Sequence, residues 1–362
     1  MFAAAVFMAG LCQGFSLALK KPLWNDEIYS QTSSVEGMSW AQIWTGRIRE
    51  GNNSPAFYSV QKIVCGIFGY KSNDLWKNDD VPARLILRIA PVVCMSLGLA
   101  LIVWFFGAYY ALSGMMIAFI VGVSSYMVWY YWAEARPYAM MFLATTVQAL
   151  LILYHCRFGR NTHGWGIGVA NLFLAFVSSL SVIQIAASGF VVWMKGGRRI
   201  WPLLGVVGLP LAVAFGYYKA ADHYAFWFAA HGQPLALIGA NISAGRLAAF
   251  FILPVLLWAW DRYVDGEKSF SGWPFFMWAW LTFFGYVLFL SYLMVLQDPA
   301  KGFEISNRYL MTLTPLGIVG VCAGILELAR RPKALWLKAV VWIGALGFVL
   351  PRLIKVWHWM GY

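Results

Sequence analysis

Apolar runs of about 20 residues recur along nearly the whole chain, with short polar gaps between them. A run of that length fits the hydrocarbon core of a bilayer as a helix, because a helix satisfies its own backbone hydrogen bonds where no water is present. Such runs fall at 2–19, 85–106, 111–131, 138–155, 166–181, 182–194, 200–218, 246–260, 273–296, 309–328 and 335–350. The two members of the pair at 166–194 are short and nearly contiguous. The expectation is an all-α polytopic membrane protein with about 11 transmembrane helices, the 362 residues forming one transmembrane domain. Composition agrees: 61% of residues are apolar and 12% charged, against about half and a quarter in a soluble domain.

The net charge of +12 points to orientation rather than to nucleic acid, because the basic residues sit between apolar runs. With the N-terminus in the cytoplasm, the inside gaps hold Arg157 and Arg160, then Lys195, Arg198 and Arg199, then Arg262 and Lys268, then Arg330, Arg331, Lys333 and Lys338. The short outside gaps hold little more than Arg136, Lys219, Lys301 and Arg308. That asymmetry follows the positive-inside rule. Most acidic residues, including Asp26, Glu27 and Glu134, then face outside. The first run has no basic region before it and a poor cleavage context after it, so it reads as a retained span rather than a signal peptide. Of the five cysteines only Cys65 falls in a polar region, and no disulfide framework is expected.

Residues 20–84 form the one long polar stretch. Within it Trp40, Ile43, Trp44 and Ile48 recur at helical spacing, which predicts a helix lying in the membrane interface. The run Pro55 to Tyr70 is short for a span and contains Gln61 and Lys62, so it is placed in the interface as well. A second sizeable outside loop covers 219–245. It contains Asp222, His223 and His231, whose spacing reads as interfacial polar residues rather than a metal site.

Two acidic groups lie just outside the membrane: Trp24-Asn25-Asp26-Glu27-Ile28-Tyr29 after the first run, and Glu134-Ala135-Arg136-Pro137-Tyr138 before the fourth. Carboxylates at this depth can deprotonate a hydroxyl or hold a metal ion, and an arginine beside them can clamp a phosphate. Equally, they can be solvated loop residues, with Asp26 as a helix cap and Pro137 as a helix start. Trp24, Trp40, Trp44 and Trp132 suit sugar stacking and membrane anchoring alike.

The order of these motifs resembles the GT-C glycosyltransferases, in particular the polyprenyl-phosphate-sugar-dependent group that includes protein O-mannosyltransferases and lipid A aminoarabinose transferases. The Asp-Glu pair is matched by Asp26 and Glu27. A Pro-Pro-Leu-Tyr-Tyr pattern is matched loosely by Ser54-Pro55-Ala56-Phe57-Tyr58, and an Arg-Leu-Pro pattern imperfectly by Arg88-Ile89-Ala90-Pro91. A Glu-Ala-Arg-x-Tyr-Ala pattern is matched fully by Glu134 to Ala139. Arg308-Tyr309-Leu310 and Thr314-Pro315-Leu316 match the pattern near the end. The family's His-Pro-Pro element stands here as Asn53-Ser54-Pro55, and Ser178–Gln184 replace its aromatic and histidine cluster.

The resemblance implies a sugar donor on a polyprenyl phosphate, entering from the outer leaflet of a plasma or bacterial inner membrane, and a glycan, lipid or protein acceptor. Asp26 would be the base that activates the acceptor hydroxyl, with inversion at the anomeric carbon. Glu27 and Glu134 would orient the acceptor or bind a divalent cation (Mg or Mn), and Arg88, Arg136 or Arg308 would hold the leaving phosphate, with Tyr138 and Tyr309 beside them. The competing expectation is a transporter or flippase of a polyprenyl-linked or other amphiphilic lipid. Transporters place charged or broken-helix sites at the midplane, often in two related halves, whereas here the acids gather at one face and no repeat is visible.

Overall fold

The computed structural model describes residues 1–48, 55–72, 75, 81–157, 164–196, 200–220, 229–230, 244–264, 272–296, 303–304, 311–331 and 335–359. The described residues are helical almost throughout. The described helices are α1 (Phe2–Lys20), α2 (Asn25–Tyr29, continued by a π-helical turn Ser30–Glu36), α3 (Trp40–Trp44), α4 (Pro55–Ile67), α5 (Val81–Val123), α6 (Tyr126–Tyr131), α7 (Tyr138–Arg157), α8 (Trp165–Val177), α9 (Val182–Gly196), α10 (Ile200–Leu203), α11 (Leu209–Ala220), α12 (Ala244–Tyr263), α13 (Trp273–Leu296), α14 (Leu313–Arg330) and α15 (Leu335–Trp359). A two-residue antiparallel bridge pairs Ala229–Ala230 with Phe303–Glu304. Among the described residues six helices are long and apolar enough to cross a membrane.

Helix α5 is two antiparallel helices joined by a reversal at Ala111, whose backbone takes φ 58° and ψ −155°. The pairing is symmetric about that residue. A Cβ on Gly114 would meet the Phe106 carbonyl, one on Gly107 would meet Met115, and one on Gly122 would meet Leu99. The expected boundary between the second and third apolar runs is therefore a single residue in a strained conformation. The returning arm breaks again at buried Ser124 and Ser125. The freed backbone is not left bare: Ser124 Oγ donates to the Val121 carbonyl and Trp129 Nε1 to the Val123 carbonyl at 2.6 Å, as a low-dielectric surround requires.

Pro91 cannot donate the hydrogen bond that the Leu87 carbonyl would otherwise accept one turn earlier. The amide of Gln61 fills the gap, its Nε2 donating to the Leu87 carbonyl at 2.9 Å. This accounts for the polar residue in the middle of α4 and ties that helix to α5. Lys62, beside it, donates to the carbonyls of Val35 and Met38 at 2.7 and 2.8 Å, closing the end of the π-helical turn.

The expected runs 166–181 and 182–194 need correction. Helix α8 has 13 residues and α9 has 15, so each rises only about 20 Å, less than the ~30 Å hydrocarbon core. Between them Ser178 is extended and Ser179–Ser181 form one buried 3₁₀ turn, with Ser181 Oγ donating to the Ser178 carbonyl at 2.6 Å. Helix α3 lies against this short hairpin: Trp44 of α3 packs edge-on against Phe176, ring centroids 5.4 Å apart, and Tyr217 from the end of α11 donates to the Ile43 carbonyl at 2.9 Å. The last helix also runs further than the hydropathy pattern suggested, reaching Trp359 across Pro351.

Between α7, α8 and α9 lies a buried uncharged seam. Gln148 Nε2 donates to Asn171 Oδ1 at 2.6 Å, and Asn171 Nδ2 donates to Ser188 Oγ at 2.9 Å and to the Val206 carbonyl at 2.7 Å. Val206 sits in a π-helical turn, Leu204–Gly208, whose altered register turns that carbonyl to a side-chain donor. Interhelical amide contacts of this kind join helices where lipid offers no hydrophobic force between them.

The helix ends sort into two opposite faces. At one lie the end of α1, α2 to α4, the starts of α5 and α7, and the ends of α8 and α11. At the other, Glu327 of α14 accepts from Tyr110 of α5 at 2.7 Å and pairs with Arg157 of α7 at 2.5 Å. Arg330 lies 4.1 Å over the Tyr110 ring, and Arg331 pairs with Asp261 of α12 at 2.8 Å. Arg157, Arg330 and Arg331, which the charge pattern assigns to one side, thus lie together.

Candidate functional site

At the first face, α2 and the 132–137 loop bring the two acidic groups together, although they stand over 100 residues apart in sequence. The three carboxylates do not share one environment. Glu27 and Glu134 are buried, at 1% and 3% exposure, whereas the Asp26 side chain is 36% exposed. Asp26 is therefore the one of the three that a substrate can reach directly.

Glu27 is fully engaged. Its Oε1 accepts from Arg88 Nε at 2.9 Å and from the Ala135 N–H at 2.6 Å. Its Oε2 accepts from Arg88 Nη2 at 2.7 Å and from the Trp24 N–H at 3.2 Å. Arg88 is equally committed, because Nη1 also donates to the carbonyls of Ala18 and Lys21, and Nη2 to that of Pro22. A guanidinium has five N–H donors, and these bonds use five. The arginine expected from its motif to bind phosphate thus has no donor fork to offer; it stitches the end of α1, the start of α2 and the start of α5 into one unit. Through Ala135 the same pair also fixes the loop that carries Arg136.

Arg136 is the arginine that meets Asp26. Its Nη1 donates to Ser30 Oγ at 2.5 Å and to the Asp26 carbonyl at 3.3 Å. Its Nη2 lies 3.9 Å from Asp26 Oδ2 and donates to the Tyr138 hydroxyl at 3.4 Å. The guanidinium also sits 5.8 Å from the Tyr138 ring centroid. Arg136 is thus paired with Asp26 from the other loop, and the backbone carbonyl of its own neighbour Glu134 accepts from the Arg136 N–H at 2.7 Å. Tyr138 opens α7, so the positive end of that helix dipole points to the same place.

Two residues join the site that the motifs did not name. Lys21 donates from Nζ to the Tyr130 carbonyl at 3.1 Å and lies 4.7 Å over the Tyr130 ring. Burial pushes its ammonium below the ordinary lysine value, while the Glu134 and Glu27 carboxylates pull it up and Arg88 pushes it down. Its signal in the sequence was a basic residue directly after the first run, on the face where the charge rule expects few. Ser30 is the second, and its signal was position: four residues after Asp26, one helical turn along the same face.

Among the described residues no group of three or more His, Cys, Asp or Glu side chains is placed to hold a metal ion. The donor set explains why these acids do not form one. Both oxygens of Glu27 are occupied by N–H donors, and Asp26 has a guanidinium alongside, so the arrangement does not fit a divalent cation. Arg308, Tyr309, Asp222, His223 and His231 lie outside the described residues.

No protein-family model matches the chain, and no curated protein matches it.

Proposed function

We propose that the chain is a membrane glycosyltransferase that moves a sugar from a polyprenyl-phosphate donor to a hydroxyl of a glycan, lipid or protein acceptor, at the outer face of a plasma or bacterial inner membrane. The observation that carries this reading is the pairing of one partly exposed carboxylate, Asp26, with one buried arginine, Arg136, at a single face of a helical membrane protein. The resemblance of the motifs to the GT-C group supports it. In this reading all eleven apolar segments cross or enter the bilayer, with the N-terminus in the cytoplasm and the C-terminus outside.

The chemistry is a single displacement. Asp26 takes the proton of the acceptor hydroxyl as that oxygen forms its bond to the anomeric carbon. The bond from the anomeric carbon to the phosphate oxygen breaks, its electron pair leaves with polyprenyl phosphate, and attack from the opposite side inverts the centre. Arg136 and the N-terminal dipole of α7 stabilise the charge that develops on the leaving phosphate. A low-dielectric interface strengthens that interaction. Glu27 and Arg88 act by holding Asp26 and the 134–136 loop in register, where a misplacement of about 1 Å is costly. The buried polar groups between α7, α8 and α9 are uncharged and bonded to one another, which suits helix association better than a transport path.

Mass spectrometry of lipid-linked sugars and envelope glycans, with and without the chain, tests this function. Its removal should accumulate one polyprenyl-phosphate sugar and delete that sugar from one glycan, lipid or protein. Unchanged pools of both would overturn the assignment.

A further inference from the structure

We propose that the face opposite Asp26 carries a binding site for the phosphate of an anionic phospholipid, with Arg330 as its ligand. The inference does not depend on the reaction proposed above. Arg157, the last residue of α7, pairs with Glu327 at 2.5 Å, and Arg331, directly after α14, pairs with Asp261 at 2.8 Å. A carboxylate matches each of those charges. Arg330 has different surroundings. It is exposed, its Nη2 donates to the Tyr109 carbonyl at 2.8 Å, and its guanidinium lies 4.1 Å over the Tyr110 ring. Among the described residues no carboxylate pairs with it, so three arginines meet two acids and one positive charge is left over.

A carbonyl and an aromatic face hold that guanidinium in place without neutralising it. One of its five N–H donors is used among the described residues, which leaves donors for both oxygens of a phosphate. The surroundings suit a lipid rather than a soluble anion. The Tyr109 and Tyr154 rings lie 5.7 Å apart, and tyrosines of this kind sit at headgroup level. Leu112 and Met116, one turn apart directly after the reversal at Ala111, are exposed and offer apolar surface to acyl chains. A free phosphate would use the arginine alone; a phospholipid uses both. Basic sites between helix ends at a leaflet boundary take anionic headgroups, whereas a zwitterionic headgroup brings its own cation toward the uncompensated charge. The competing role is structural. Arg330 complements the dipole at the end of α14 and braces the reversal, a role indifferent to the charge of the lipid.

The test uses the full chain in phosphatidylcholine nanodiscs containing increasing fractions of phosphatidylglycerol, with melting temperature as the readout. Phosphatidylglycerol should raise the melting temperature of the wild type to a plateau. Arg330→Gln should need about tenfold more of it to reach half that rise, the size of losing one hydrogen bond to a charged group. Arg330→Lys, which keeps the charge without the fork, should fall between the two. The same dependence on phosphatidylglycerol in the wild type and Arg330→Gln would overturn the site and leave only the bracing role. An equal rise from inorganic phosphate at matched ionic strength would overturn the lipid assignment in favour of a soluble anion. Native mass spectrometry of the wild type released from mixed nanodiscs needs no variant to fold. It should show phosphatidylglycerol retained over phosphatidylcholine, and equal retention of the two would overturn the proposal.

Discussion

Arg88 and Glu27 form a closed pair: both oxygens of the carboxylate and all five donors of the guanidinium are used, at 0% and 1% exposure. Removing one member of such a pair leaves a buried charge uncompensated, at a cost of about 3–5 kcal/mol. Arg88→Ala and Glu27→Gln should each lower the melting temperature of the purified protein markedly. Arg88→Lys should rescue little, since an ammonium has three donors and no planar fork. A melting temperature unchanged in all three variants would contradict the pair's structural role.

Gln61 and Pro91 are coupled through a carbonyl that neither owns. Gln61→Leu leaves the Leu87 carbonyl buried without its donor, a loss of about 1–3 kcal/mol. Pro91→Ala restores a backbone N–H to that carbonyl. In the Pro91→Ala background Gln61→Leu should therefore cost much less than it does alone, a non-additivity that a double-mutant cycle on thermal stability reads directly. Additive losses would mean that Gln61 acts elsewhere.

Ala111 holds a backbone conformation that glycine adopts far more readily. Ala111→Gly should raise stability by about 1 kcal/mol through relief of that strain. A fall in melting temperature would show that the reversal is not strained there.

Much of this architecture was legible in the sequence. Apolar runs mark helices because lipid leaves the backbone no other partner, and the basic residues of separate gaps, Arg157, Arg330 and Arg331, lie together in the fold. The two acidic groups were legible as one site because both fall on the same side of that pattern. What hydropathy cannot register is a break inside a run, so the extended Ser178 with its 3₁₀ turn Ser179–Ser181 and the break at Ser124 go unmarked in the sequence. Nor can a motif reveal whether its donors are already spent. Arg88 and Arg136 looked interchangeable until the carbonyls of Ala18, Lys21 and Pro22, some 70 residues earlier, proved to fill the first of them. Ser30 and Lys21 stayed unseen because each matters only through a residue about 110 positions away.

Orientation has its own check. A membrane-impermeant maleimide should label Trp40→Cys in intact cells, since Trp40 is exposed at the face of Asp26. Lys195→Cys should label only after permeabilisation. The reverse pattern would place the site in the cytoplasm and exclude an outer-leaflet donor.

The account's central claim is that Asp26 is the base, and Asp26→Asn tests it most directly. The substitution keeps the side chain's size and removes the oxygen that takes the proton. The measurement is sugar release from a polyprenyl-phosphate sugar by purified protein in liposomes, with melting temperature on the same samples. The account predicts a loss of about 100-fold or more at an unchanged melting temperature. Transfer at the wild-type rate by a folded Asp26→Asn protein would contradict it.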